Sequence, residues 1–194
     1  FHPEVDDMYA PAHNTFVVME MLTDSLCGAS RPGHFRGVCT VVTKLFNIVQ
    51  PHRAFFGQKD AQQAEVLKRM VKDLFFNVKL RIMPIVREAD GLAKSSRNTY
   101  LSKSERAAAV ILNSSLETAS MLFKAGERSS QKLVEGVKKL IGDEPMAQID
   151  YVEIYALPGL TPAPEVLTKG QYLLALAVKF GTTRLIDNVI LEVE

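Results

Sequence analysis

The sequence has only two cysteines and four histidines, and each shortage removes a class of function. Cys27 and Cys39 stand in no C-x-x-C arrangement, so neither a disulfide framework nor a zinc cluster can be built from them; two reduced, packed thiols are expected. His2, His13, His34 and His52 show no H-x-H or H-x-x-x-H spacing, which speaks against a protein-built metal site. The lack of a G-x-S-x-G elbow and of a Walker lysine motif disfavours a serine hydrolase and a P-loop ATPase. No apolar run approaches the roughly 18 residues of a membrane helix, and no charged-then-apolar leader stands at Phe1, so the chain reads as soluble and cytoplasmic. Charge of one sign is missing too. With 23 Lys and Arg against 22 Asp and Glu, the net +1 implies neither a nucleic-acid coat nor an acidic tail.

What is present is a large apolar fraction, 47% of 194 residues, enough to bury the core of one large or two small domains. Residues 31–97 hold 13 Lys and Arg but only 5 Asp and Glu, a local +8 that suits an anionic ligand. Much of this belt falls on helix faces as solvated charge, so nucleic-acid binding is disfavoured. Phe1 is not an initiator, and Phe1 to Pro3 reads as the exit of a strand already in progress, so the start reads as a cut edge.

Thr15 to Leu22 (TFVVMEML) is apolar and partly β-branched, which favours a strand leading into a Gly/Ser/Pro loop at residues 27–33. From Phe35 to Val49, apolar residues recur at three and four, the spacing of a buried helix, and Pro51 ends it. Arg53 to Gly57 reads as a short buried strand. Asp60 and Gln63 have the spacing of a capping box for a helix whose stripe is Val66, Leu67, Met70, Val71 and Leu74. Residues 78–85 alternate into a strand closed by Pro84, and strand, helix, strand over this length is a βαβ unit with a parallel sheet. Residues 87–98 (READGLAKSSRN) are polar and aperiodic with an Asp-Gly turn signal, a loop or hinge between two units. Ser102 and Glu105 form a second capping box, opening one long helix that Gly126 ends; another helix runs through Leu133, Val137, Leu140 and Ile141 to Gly142. Strands at 149–155, 172–180 and 185–193 follow, the last two separated by Gly181–Thr183 as in an antiparallel pair. The expected layout is a parallel α/β unit over residues 1–85, then a smaller α+β unit with an antiparallel sheet over 86–194.

Two clusters could carry chemistry. Gly57, Gln58, Lys59 and Asp60 lie where a parallel strand becomes a helix, the place where α/β sheets bind ligands and where helix N–H groups face anions. Lys59 could meet a phosphate as a point charge and Asp60 a ribose hydroxyl; equally, Asp60 and Gln63 could only cap the helix and Lys59 be a solvated loop charge. Lys94, Ser95, Ser96 and Arg97 offer two hydroxyls between two cations, a loop that can wrap a polyphosphate or serve as plain linker. Two such loops at the same end of one sheet suggest nucleoside triphosphate chemistry.

The segments ASRPGHFRGVCTVVTKLFNIVQP (29–51), FFGQKDAQQAEVLKRMVKDL (55–74), PIVREADGLAKSSRNTYLS (84–102) and TRLIDN (183–188) closely resemble the pantothenate synthetases, or pantoate–beta-alanine ligases, in register across nearly the whole chain. The resemblance implies a Rossmann-like, nucleotidylyltransferase-like sheet, of which this chain is the carboxyl-side part. It implies that pantoate attacks the α-phosphate of ATP, with Mg2+ carried by the nucleotide, to give pantoyl adenylate, and that β-alanine then displaces AMP. By the same resemblance Gly57, Gln58, Lys59 and Asp60 would hold ATP, Val86 would meet adenine through its backbone, and Lys94, Ser95, Ser96 and Arg97 would close over the phosphates. Lys59, Ser95, Ser96 and Arg97 would be the catalytic groups. Gln63 would bond pantoate against a wall of Val38, Val41 and Val42, and the assembly would be a cytoplasmic homodimer feeding coenzyme A synthesis. The family also carries an H-x-G-H motif, and no pair of histidines here has that spacing. The 194 residues alone are therefore expected to be inactive or nearly so, with a non-catalytic nucleotide-binding or dimerisation module as the alternative.

Overall fold

Short helices open the chain: α1 (Val5–Met8), entered through a Glu4–Asp7 capping box, and α2 (Leu26–Ser30), entered from Ser25 in extended conformation. The structure is a computed structural model that describes residues 2–194. The predicted strand exit at Phe1–Pro3 begins outside the described residues, and His2 and Pro3 are in no strand. No strand forms at 15–22 either, a correction to the expectation from its β-branched run. A strand needs a ladder partner. Here the Val17 N–H donates to the Thr40 hydroxyl at 3.0 Å instead, and Val18 and Met21 stay exposed.

Helix α3 (His34–Val49) follows the predicted spacing. Its stripe buries Phe35, Cys39, Val42 and Phe46, whereas Val49, expected on that face, is exposed. Gln50 ends the helix in the left-handed conformation, ahead of Pro51. Strand β1 (Arg53–Gly57), a single 3-10 turn (Gln58–Asp60), helix α4 (Ala61–Asp73) and strand β2 (Lys79–Met83) complete the βαβ unit, with β1 and β2 parallel. Strand β1 is not buried as expected: alternate residues are exposed, Phe55 at 63%, because one face of the strand pair is uncovered. Leu74, the last residue of the predicted α4 stripe, lies past the helix and is exposed. Helices α3 and α4 meet through a Thr43–Met70 contact, and Phe46 stacks edge-on to Phe76 at 5.5 Å. The described residues up to Phe56, with Gln62–Met83, form one compact unit.

Cys39 is fully buried in this unit, and burial pushes its thiol up to about 11. It therefore stays protonated at pH 8. Iodoacetamide at that pH is expected to spare Cys39 in the native protein and to label it in urea; mass spectrometry showing native labelling at the denatured rate would contradict this burial.

Gly57–Ala61 and Pro84–Glu194 form the second unit. The Ser102–Glu105 capping box forms as predicted and opens α5 (Lys103–Ala108). The single long helix expected after it is two, because the chain tightens at Ala109 and Val110 before α6 (Ile111–Lys124). Ala109 and Leu112, on either side of this step, are both buried in the core. Gly126, at φ +107, ends α6 with the Glu127 N–H bonded back to the Leu122 carbonyl. Ser129 caps α7 (Ser130–Gly142), which buries Leu133, Val137 and Ile141.

Strands β3 (Ala147–Leu157), β4 (Thr161–Pro162), β5 (Gly170–Phe180) and β6 (Thr183–Val193) make an antiparallel sheet in the order β4-β3-β5-β6. Only the two-residue β4 went unread in the sequence. A tight turn with Gly181 at φ +56 joins Phe180 to Thr183 and sets the β5–β6 register, which pairs Leu176 with Asp187 and Ala175 with Asn188. Leu174, Leu176 and Val178 pack with residues of α6 and α7 in the main hydrophobic cluster, while Leu173, Ala175 and Ala177 on the other face of β5 are buried as well. Each fully buried leucine there contributes about 1.5–3 kcal/mol. Among the described residues no helix is long and apolar enough to cross a membrane.

Candidate functional site

The chemistry of the second unit gathers around edge strand β6, against which both predicted loops pack. Gly57 leaves β1 in an extended conformation, and Gln58 to Asp60 coil into the 3-10 turn that enters α4. Asp60 is already inside that turn. It cannot serve as an extended N-cap, and no hydrogen bond joins it to Gln63, so the predicted capping box is absent. The turn is held from elsewhere. The Asn188 amide donates to the carbonyls of Gln58 (2.9 Å) and Lys59 (3.0 Å) and accepts from the Gln58 side chain at 3.3 Å. Among the described residues the Lys59 ammonium makes no ion pair.

The second loop is ordered rather than a free linker. Arg87 and Ala93 form an antiparallel bridge, with the Glu88 N–H bonded to Leu92 and the Lys94 N–H to Val86. The predicted Asp-Gly signal marks its tip, where Gly91 takes φ +93. The Arg87 guanidinium reaches Asp187 through two bonds of 2.7 and 3.0 Å and also donates to the Gly91 carbonyl at 3.0 Å. Asp187 is 2% exposed. Arg106 on α5 grips Asp90, and this hydrogen-bonded guanidinium holds the Asp90 carboxyl below the usual carboxylate range. The tether is thus intact at neutral pH and is lost only as pH falls below the range of a free aspartate.

Gly91 has no substitute at this tip. A Cβ there would sit 2.5 Å from the Asn113 amide nitrogen, which is itself bonded to Glu117, and would also be strained at positive φ. Gly91→Ala is expected to destabilise the protein by about 1–3 kcal/mol in urea unfolding. An unchanged midpoint would show that the tip relaxes freely.

Beyond the bridge, Lys94 is exposed and lies 3.7 Å from Glu88, a weak surface pair. The Ser95 hydroxyl accepts from the Arg97 N–H at 3.2 Å and opens a 3-10 turn, Ser96–Tyr100. Its own proton stays free to donate. Ser96 and Arg97 are exposed, and the Arg97 guanidinium has no acidic partner among the described residues. The Val86 carbonyl is taken by Lys94, leaving its N–H as the backbone group open to a base.

The remaining predicted residues belong to the first unit. Val38 and Val41 are half-buried and Val42 is buried on one face of α3. Gln63 is half-buried, and among the described residues its amide has no partner. Its neighbour Gln62, which sequence reading passed over, is saturated: it accepts from the Cys27 N–H and donates to the carbonyls of Leu22 and Ser25. Arg87, Asp187 and Asn188 were also passed over as site residues. The only signal for the last two was the TRLIDN string, to which spacing alone assigns no task. No group of His, Cys, Asp or Glu among the described residues could hold a metal ion.

A sequence model of the family described as Pantoate-beta-alanine ligase matches residues 1–190. The pantothenate synthetase of Pelotomaculum thermopropionicum is 59% identical over 98% of this chain and 67% of its own length. That of Acetivibrio thermocellus is 58% identical over 100% and 68%. The crystal structure of the Thermus thermophilus pantothenate synthetase superposes with a TM-score of 0.89 at 40% identity, covering 96% of this chain and 67% of that one. The Francisella tularensis pantoate-beta-alanine ligase, crystallised with beta-gamma ATP and beta-alanine, matches at a TM-score of 0.70 and 28% identity over 95% and 61%. The chain thus spans about two thirds of the length of these relatives.

Proposed function

Because the chain belongs to the pantoate-beta-alanine ligase family, we propose that the protein carrying it condenses pantoate with β-alanine through a pantoyl adenylate, with ATP and its Mg2+ as co-substrate. The observation that carries this reading is one of charge. Lys59 and Arg97 stand on two loops that both pack against β6, and neither meets an acidic partner among the described residues. Unneutralised cations on ordered loops suit a polyphosphate.

In the first step a carboxylate oxygen of pantoate forms a bond to the α-phosphorus while the bond to the bridging oxygen of pyrophosphate breaks. Lys59 would offset the charge on the transferring phosphoryl group, Asp60 would bond the ribose and Gln58 and Gly57 would line the nucleotide. Lys94, Ser95, Ser96 and Arg97 would bond the departing pyrophosphate, and the Val86 N–H would donate to adenine. In the first unit, Gln63 would bond pantoate, with Val38, Val41 and Val42 against its methyl groups. In the second step the β-alanine amine attacks the acyl carbon and AMP leaves. A cytoplasmic homodimer belongs to the same proposal. Pantoate-dependent ATP–pyrophosphate exchange by a polypeptide that carries this chain tests it; exchange indifferent to pantoate would overturn it.

For the 194 residues by themselves a second reading is favoured by the missing H-x-G-H pair: nucleotide binding without turnover. Positioned donors are often the largest catalytic term, so losing a pair should cost orders of magnitude in rate. Pantothenate formation at the rate of a full-length relative, by a preparation that intact mass shows to hold only this chain, would refute that reading.

A further inference from the structure

Asp187 and Asn188 are polar, 2% and 3% exposed, and adjacent in the middle of an edge strand. Successive strand residues face opposite ways. Asp187 lies across from Leu176, on the sheet face that packs with α6 and α7, and Asn188 across from Ala175, on the other. Each spends its side chain on a different loop. Asp187 takes Arg87 and, through it, the hairpin that ends at Lys94; Asn188 takes the backbone of Gln58 and Lys59. The Asp187 carboxylate also accepts the Asn188 N–H at 2.8 Å, which ties the two together.

We infer that Asp187 and Asn188 are a positioning pair, which fixes the conformation of both loops from the two faces of one strand; their benefit to catalysis rests on the nucleotide reading above. The geometry is specific at Asn188. In a planar trans peptide the carbonyl and the following N–H point in opposite directions. Holding the Gln58 and Lys59 carbonyls toward β6 therefore turns the Lys59 and Asp60 N–H groups away from it. In a 3-10 turn over Gln58–Asp60 the Asp60 N–H closes back on the Gly57 carbonyl, so of the two the Lys59 N–H is the one left without an acceptor inside the turn, the group an anion would use. At Asp187, two parallel bonds to a planar guanidinium fix its angle as well as its distance, and the same guanidinium holds the Gly91 carbonyl at the hairpin tip. A residue needed only for sheet stability would bond within the sheet. These side chains bond to segments 129 and 100 residues away in sequence.

The test is amide hydrogen exchange by mass spectrometry, paired with calorimetric titration of MgATP, on the wild-type protein and on Asn188→Asp, Asn188→Ser and Asp187→Asn. Asn188→Asp keeps the shape but can no longer donate to the two carbonyls; Asn188→Ser repeats the loss without an added charge. Both are expected to raise exchange at residues 58–61 about tenfold and to leave 87–94 as in the wild type. Asp187→Asn is expected to do the reverse. Each variant should weaken MgATP about tenfold. Exchange that rises equally in both loops and along β5 and β6 would reduce the pair to sheet stabilisers and overturn the inference, as would loosened loops with unchanged MgATP affinity in a protein that binds it. A wild-type chain that binds no MgATP would count against the nucleotide reading instead, and the loop-selective exchange would then decide the positioning role alone.

Discussion

Lys59→Ala is expected to lower pantoate-dependent ATP–pyrophosphate exchange by about 10²–10³-fold, with the urea midpoint of unfolding unchanged. The two halves of that expectation have one cause. The Lys59 ammonium makes no ion pair among the described residues, while the backbone of the same residue is held by Asn188 through its carbonyl. Removing the side chain therefore breaks no hydrogen bond or ion pair among the described residues and leaves the backbone hold on the turn in place. On the proposed mechanism, what is lost is a positive charge held in advance where negative charge grows on a phosphoryl group, which would cost the reaction and not the fold. Lys59→Arg should recover only part of the rate, because a planar, broader guanidinium fork does not replace a compact ammonium. Unchanged exchange in Lys59→Ala would remove this residue from the proposed mechanism.

The second large effect is on stability. Arg87→Ala is expected to cost about 3–5 kcal/mol in urea unfolding, because it leaves a buried carboxylate without its counter-charge. The side chain of Asp187 is 1% exposed and that of Arg87 is 27% exposed, so the pair is not symmetric. Without Arg87, the Asn188 N–H is the partner left to the buried Asp187 carboxylate among the described residues. Without the charge on Asp187, as in Asp187→Asn, the partly exposed guanidinium can turn to solvent, so this variant should be much the milder of the two. Equal losses would show that the cost lies in the broken bonds and not in the stranded charge.

Much of this molecule is legible along the chain. The α3 stripe, the βαβ unit, the Asp-Gly tip, the Ser102–Glu105 capping box and the three long antiparallel strands follow from spacings of two, three and four residues. Reading failed where partners decide. The β-branched run at 15–22 found no strand to pair with, and Asp60 had the spacing of a cap but a backbone already coiled. The helix expected after Ser102 split at Ala109, where the backbone bonds tighten to a three-residue step.

The candidate site divides the same way. Its family motifs, its cation-bearing loops and the residue types of the proposed triphosphate site are properties of the sequence by itself, because local order and composition are enough to write them. Which backbone groups of those loops face outward is not. That was decided only in the tertiary structure, where Asn188 meets Gln58 across 130 residues and Asp187 meets Arg87 across 100. No local period reports a contact at that range. It exists because the β5–β6 register sets both residues in the middle of an edge strand, on opposite faces, where buried polar groups must find partners and the two loops supply them.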